Sequence, residues 1–355
     1  MKIVSCEHFF KLNYYKMKLS LRLLLLLPFI FVMTGCPSDD SYEVVVRPYS
    51  EVYAEDIAKI ETFLDTHFYT QDANYNVTFA KITADTPSAT PISDLLDTSA
   101  NQDDPAKKLK CKIVSAGGVD HKLYFLKLNE GSGGNTGEMQ PTRLDSILPA
   151  YKGYILNKDL NNDLSLSVFE TKNNADKWLE LPGVITAWQQ VFPEFKAGDD
   201  NPDNTDGTPN FTNFGAGVMF VPSGLAYFNQ INEGVRIPYS TLIFSFKLMK
   251  VRFKDQDGDK IFSKDEYGGP TTGTALDSDG DGKPNYIDYD DDNDGKTTFE
   301  EIRRTPGVSR WYPFKGAAVD DPATLDIDER QGIPSCSGDY TSPNRLRRHL
   351  DPSCK

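Results

Sequence analysis

Apolar positions fall in short runs along the chain, and the spacing within each run decides the element it predicts. From Ala54 to Tyr69 they recur at Ile57, Ile60, Phe63, Leu64 and Phe68. That spacing puts them on one helical face, which packs on a core or meets a second copy of the chain. Val77–Ile82 alternates as a half-buried strand does. Residues 85–107 are rich in Pro, Ser, Thr and Asp and read as loop. Leu109–Val114 and His121–Leu128 read as strands, with Gly117 and Gly118 between them. Gly131 to Gly137 reads as a flexible turn.

The pattern changes between Tyr151 and Val251. Three pieces there are mostly apolar and aromatic: Leu181 to Trp188, Val221 to Tyr227, and Ile237 to Phe246. Each carries Gly or Pro where a core strand would not want them. That combination predicts an apolar pocket lined from turns and element ends. No Ser-His-Asp, Cys-His or paired-carboxylate arrangement stands out in the stretch. Catalysis there would be neither proton transfer nor covalent attack.

In order, the stretch reads Tyr151-Lys-Gly153, Phe169-Glu170, Val184-Ile185-Thr-Ala-Trp188, Pro222-Ser-Gly-Leu-Ala-Tyr227, and Ile237-Pro238 leading to Leu242-Ile243-Phe244. This series resembles the FKBP-type peptidyl-prolyl cis–trans isomerases. The resemblance implies an α+β fold, an antiparallel sheet wrapped around one short helix. It also implies proline-containing polypeptide substrates and a reaction needing no cofactor. Trp188 would floor the pocket. Tyr151, Phe169, Trp178 and Phe244 would wall it, Val184 and Ile185 would close its edge, and Ile237 would belong to the same site. The Ile185 backbone N–H and the Tyr227 hydroxyl would bond substrate carbonyls. Glu170 stands where the family usually has Asp, Trp178 is one residue out of register, and a Gly-, Asn- and Asp-rich insertion runs from about 198 to 213.

The start of the chain has a different pattern. Leu19 to Met33 is apolar except for Ser20 and Arg22, and Thr34-Gly35-Cys36 follows. The run is short for a membrane span and suits a secretion signal, whose n-region begins at Met1 or Met17. Small residues before Cys36 resemble the lipobox of bacterial lipoproteins, which implies that Cys36 is acylated and anchors the chain to a membrane. An uncleaved anchor is the alternative. The acidic run after Cys36 resembles the export signal of surface-exposed Bacteroidetes lipoproteins. The expected location is therefore the outer membrane, surface-exposed in preference to periplasm-facing.

The formal net charge of −14 disfavours nucleic acid as a partner and favours cations. Cys336 and Cys354, near the end of an exported chain, are expected to pair, leaving Cys111 as a buried free thiol.

Acids cluster after the last predicted strand. Asp255, Asp257, Asp259, Ser263 and Glu266 fall at positions 1, 3, 5, 9 and 12 of a loop, with Lys260 where Gly is usual. Asp290, Asp292, Asp294, Lys296 and Glu301 fall at positions 1, 3, 5, 7 and 12 of another, with Gly295 at position 6. Both resemble the calcium loop of EF-hands, hard oxygens at alternate positions closed by a bidentate Glu. Between them, Asp277, Asp279, Asp281 and Asp288 complete a pattern that resembles a thrombospondin type 3 repeat. The implied cofactor is Ca2+, a structural staple in preference to a switch; a disordered acidic linker is the bland alternative.

The expected organisation is a signal at 1–35, a tether at 36–52, an accessory segment at 53–107, an FKBP-like domain at 108–253, calcium repeats at 254–301 and a small lobe at 302–355. The expected function is peptidyl-prolyl isomerisation during folding of exported or outer-membrane proteins. The alternative is a non-catalytic surface lipoprotein that acts as a binding subunit of an outer-membrane assembly.

Overall fold

The structure, a computed structural model, describes residues 46–100, 102–232, 234–235, 237–268, 274–304, 310–317 and 330–354. The expected signal and Cys36 lie outside the described residues.

Helix α1 spans Tyr49–Thr66. Val52, Ile60, Phe63 and Leu64 form its buried stripe, with Asp56 buried among them. Residues 47–52, expected as tether, are folded instead. Tyr49 stacks on Phe228 with centroids 3.8 Å apart, and the Arg47 N–H donates to the Tyr239 hydroxyl at 3.1 Å. The helix also stops earlier than its periodicity predicts, because Phe68 belongs to strand β1 (His67–Gln71), which pairs with β2 (Val77–Lys81).

Strands β3 (Leu109–Ala116) and β4 (Val119–Asn129) form a hairpin. Its two-residue turn needs positive φ twice, and Gly117 and Gly118 adopt 57° and 74°. Then come β5 (Ser146–Lys158), β6 (Leu164–Lys172) and the short β7 (Leu179–Glu180). Helix α2 spans Thr186–Val191 and ends where Pro193 cannot continue it. Within the insertion, β8 (Asp199–Asn201) pairs with β9 (Asn210–Thr212). Strands β10 (Gly215–Val221) and β11 (Leu242–Arg252) complete the main sheet.

That sheet is antiparallel throughout, in the order β3-β4-β10-β11-β5-β6, with β7 paired to the start of β5. All seven residues of β10 are buried. Met219 and Val221 join one core with Trp188, Val191, Phe192 and Phe195 of the α2 region, as the sheet wrapped on a short helix requires. Ala216, Val218 and Phe220 join a second core with Ile60, Phe63 and Leu64 of α1 and Val77 of β2. The accessory segment is thus a second layer on the opposite face of the sheet. The apolar face of α1 is used inside this chain.

Past β11 regular structure is sparse, apart from α3 (Thr298–Glu301). Ile261, Ile302 and Ile333 form a small third core with Trp311, Tyr312 and Phe314 against it. Cys336 and Cys354 are joined in a disulfide, while Cys111 is a free, half-buried thiol. The extension is fastened to the sheet through buried Asp145, which accepts from the Lys254 N–H at 2.9 Å.

Phe63 is fully buried and faces the rings of His67, Phe79 and Phe220. Phe63→Ala is expected to cost about 3–5 kcal/mol in urea unfolding followed by circular dichroism. A midpoint equal to that of the parent chain would contradict a shared core.

Candidate functional site

The inner face of the sheet gathers aromatic rings from elements far apart in sequence. Tyr151 on β5 meets Trp188 on α2 edge-on at 4.9 Å. Phe244 on β11 meets Trp188 at 5.3 Å and Phe169 on β6 at 5.7 Å, both near-perpendicular. Trp188 is 4% and Phe244 3% exposed, so they close the bottom of the box. Tyr151, Phe169, Val184, Ile185 and Tyr227 are half-buried against the same core and form its rim.

Two glycines make room for Phe169. A Cβ on Gly153 would stand 2.6 Å from its ring, and one on Gly234 would stand 2.8 Å from it. Gly153 lies beside a break in the β5–β6 register, and the Phe169 ring lies across that gap. This close approach is the physical content of the Tyr-x-Gly pattern.

The polar groups of the box are few. The Trp188 indole N–H is buried without a hydrogen-bond partner. Among the described residues the Tyr227 hydroxyl and the Ile185 backbone N–H also have none. Burial, then the charge of Glu170 and its hydrogen bond, raises the Tyr151 hydroxyl well above the usual phenol range. Burial and the same carboxylate raise Tyr227 too. Both hydroxyls stay protonated and remain donors at neutral pH. The site is therefore apolar, with donors and no nucleophile.

Two residues expected at the pocket, Trp178 of the wall and Ile237, are not packed in the core that holds the box. Trp178 stands beside β7, which pairs with the start of β5, and the Arg252 guanidinium lies over its ring at 4.2 Å. That is the opposite end of β11 from Phe244. Ile237 is 59% exposed. The loop between β10 and β11 instead turns Val235 inward, 2% exposed and within the core that holds Trp188.

Sequence reasoning also missed Asp56. Its carboxylate, 1% exposed, accepts from the Ser223 N–H at 2.7 Å, the Ser223 hydroxyl at 2.6 Å and the Thr241 hydroxyl at 2.6 Å. Ser223 and Thr241 sit at the two ends of the loop that carries Tyr227 and Val235. One side chain of the outer layer thus closes that loop. The available signal was an acid at the helical spacing of Val52, Ile60 and Phe63.

The acidic loops form close carboxylate groups: Asp255 with Asp257 and Asp259, Asp277 with Asp279 and Asp281, and Asp290 with Asp292 and Asp294. Backbone amides take one oxygen of several of them; the Lys296 N–H, for example, donates to Asp294 at 2.9 Å. Asp257, Asp259, Glu266, Asp290, Asp292, Asp294 and Glu301 each keep at least one buried oxygen without a partner. Burial, then the charges of Asp292 and Asp294, pushes Glu301 up to about 8. Two expected ligands are otherwise engaged. The Ser263 hydroxyl is turned to the Gln256 side chain, and Asp288 pairs with Lys283 at 3.0 Å. The first and last loops fit a hard cation by their buried, unpaired oxygens. The middle loop is more exposed.

Residues 252–326 match the family described as BamM C-terminal, a span that takes in all three acidic loops. No curated protein matches the chain. Three solved structures are similar to part of it. A peptidyl-prolyl cis-trans isomerase from Pseudomonas syringae pv. tomato str. DC3000 is 17% identical over 40% of this chain and 80% of its own, with a TM-score of 0.27. FkpA from Escherichia coli is 22% identical over 37% of this chain and 48% of its own, TM-score 0.25. AtFKBP13 is 20% identical over 40% of this chain and all of its own, TM-score 0.25. The present chain thus spans about half of FkpA. What defines the fold here is the strand order and the short helix seated against the sheet.

Asp56→Ala would leave three donors beside Ser223 and Thr241 unpaired. It is expected to cost about 2–4 kcal/mol of stability and to raise amide exchange between residues 222 and 241. Unchanged exchange in that loop would remove the clamp.

Proposed function

We propose that the chain is a peptidyl-prolyl cis–trans isomerase acting on exported or outer-membrane proteins, lipid-anchored through Cys36. The observation that carries this reading is the ring box with its three unpartnered donors.

Rotation about an X–Pro bond meets a barrier of about 18–20 kcal/mol, while the two planar forms differ by about 0.5–1 kcal/mol. At the twisted transition state amide resonance is lost, so the carbonyl carries less charge and the nitrogen is more basic. That state is less polar than either planar form, and a water-poor aromatic box favours it over bulk water. Binding the twisted form best is sufficient for catalysis. Trp188 would lie under the proline ring, with Tyr151, Phe169, Phe244 and Val235 around it. The Ile185 N–H and the Tyr227 hydroxyl would hold the flanking carbonyls. Glu170, beside Tyr151, would orient that hydroxyl.

In the same reading Ca2+ staples the extension, held chiefly by Asp255, Asp257, Asp259 and Glu266 in the first loop and Asp290, Asp292, Asp294 and Glu301 in the last. The buried, unpaired oxygens of all of these except Asp255, whose two oxygens accept from the Gly258 and Lys260 N–H groups, support this.

A second reading, a non-catalytic subunit of an outer-membrane assembly, is supported by the BamM C-terminal match over residues 252–326. There the chain is a surface-exposed binding subunit, and the box is a docking site without turnover.

A protease-coupled assay on proline peptides separates the two. Turnover is expected, reduced about 2–10-fold by Tyr227→Phe and about tenfold or more by Trp188→Ala. No turnover by the parent chain on any X–Pro peptide would leave the binding subunit. Independently, chelator is expected to lower the melting temperature of the full chain by about 5 °C or more. An unchanged melt would remove the calcium staple.

A further inference from the structure

Asp291 is an acid that neither loop pattern uses. It stands at position 2 of the last acidic loop, between Asp290 and Asp292. Its backbone N–H donates to the Thr298 hydroxyl at 3.2 Å. Its side chain joins Asp259 and Glu266 of the first loop, with one ligand atom from each inside a 4.8 Å cluster.

Among the described residues, no other cluster of acids in the extension is buried throughout. Asp259, Glu266 and Asp291 are 2%, 3% and 2% exposed. Both oxygens of Glu266 and both of Asp291 are buried without a hydrogen-bond partner, as are one of Asp259 and one of Asp257. A buried carboxylate is paired, protonated or bound to a cation. No Lys, Arg or His forms an ion pair with Glu266 or Asp291 among the described residues.

We propose that Asp257, Asp259, Glu266 and Asp291 hold one hard divalent cation, Ca2+, which bridges the first acidic loop to the last. This deepens the calcium reading above and rests on it. All the donors are carboxylate oxygens, which suits calcium with its six to eight oxygen ligands and tolerant geometry. Magnesium suits the site less well, because it keeps most of its waters and demands strict octahedral order. The first loop also has Lys260 where its pattern wants Gly, so its own shell is imperfect. Asp291 supplies the missing oxygens from the other loop. The ion then fixes how two segments about 30 residues apart in sequence sit on each other, a task that neither loop performs alone.

The test uses the full chain in detergent, stripped of divalent ions by chelator and dialysis, then titrated with CaCl2 by calorimetry. Asp291→Asn is expected to weaken one class of calcium site about tenfold or more. Asp257→Asn and Glu266→Gln should weaken that same class, whereas Glu301→Gln should weaken a different one. The double variant Asp257→Asn/Asp291→Asn should lose no further class. The bridge is overturned if Asp291→Asn leaves every class intact, or strikes the class that Glu301→Gln removes. Should Asp291→Asn fail to fold, the milder pairing of Glu266→Gln with Asp291→Glu decides by the same criterion. A parent chain that binds no calcium sinks both this inference and the calcium staple. A parent chain that binds normally beside a silent Asp291→Asn sinks the bridge alone.

Discussion

Strand β10 has seven consecutive buried residues, and that single fact constrains most of the molecule. A strand apolar on both faces must be covered on both. The inner face is covered by α2 and the turn after it, whose rings also build the box. The outer face is covered by α1 and the β1–β2 pair, drawn from a segment that has no part in the ring box. Phe220 and Met219, adjacent in the chain, enter different cores for this reason. Burial of apolar area drives both layers, and neither is an ornament on the other.

The outer layer reaches the loop that rims the box chiefly through one buried carboxylate. Asp56 lies in an apolar interface, where an unpaired carboxylate is costly, and three donors at the ends of the β10–β11 loop satisfy it. The loop itself is long and holds Tyr227 and Val235 at the rim. Fixing its ends limits the conformations open to it. Stability of the outer layer and geometry of the rim are therefore coupled, through Asp56 together with the Tyr49–Phe228 stack and the Arg47–Tyr239 hydrogen bond.

The extension follows a different rule. Its described residues form one small apolar core, around Ile261, Ile302 and Ile333, and bring many acids within reach of one another. Apolar burial of that size holds little chain together. Ionised carboxylates this close repel one another, so the electrostatics of the loops weighs beside their packing. The disulfide between Cys336 and Cys354 ties the far end.

Much of this was legible in the sequence, because it rests on local spacing. Helical and strand periods marked α1, β2, β3 and β4, and the glycine pair marked the turn between the last two. The order of motifs from Tyr151 to Phe244 marked the sheet around a helix and the rings that meet there. Alternate acids marked the carboxylate clusters. What the sequence could not determine was whatever depends on contacts between distant segments. The accessory segment had no visible partner, since its stripe is complementary to a sheet face assembled from strands scattered along the rest of the chain. Trp178 and Ile237 carried the right residue types, yet strand pairing and the turn of a loop sent one to Arg252 and the other to solvent. Val235 and Asp291 gave no local sign of their roles, and Asp56 showed only as an acid on an apolar helical face. A buried side chain is assigned its neighbours by the assembled chain, and only there do a carboxylate and its donors, or three carboxylates from two loops, arrive at the same point.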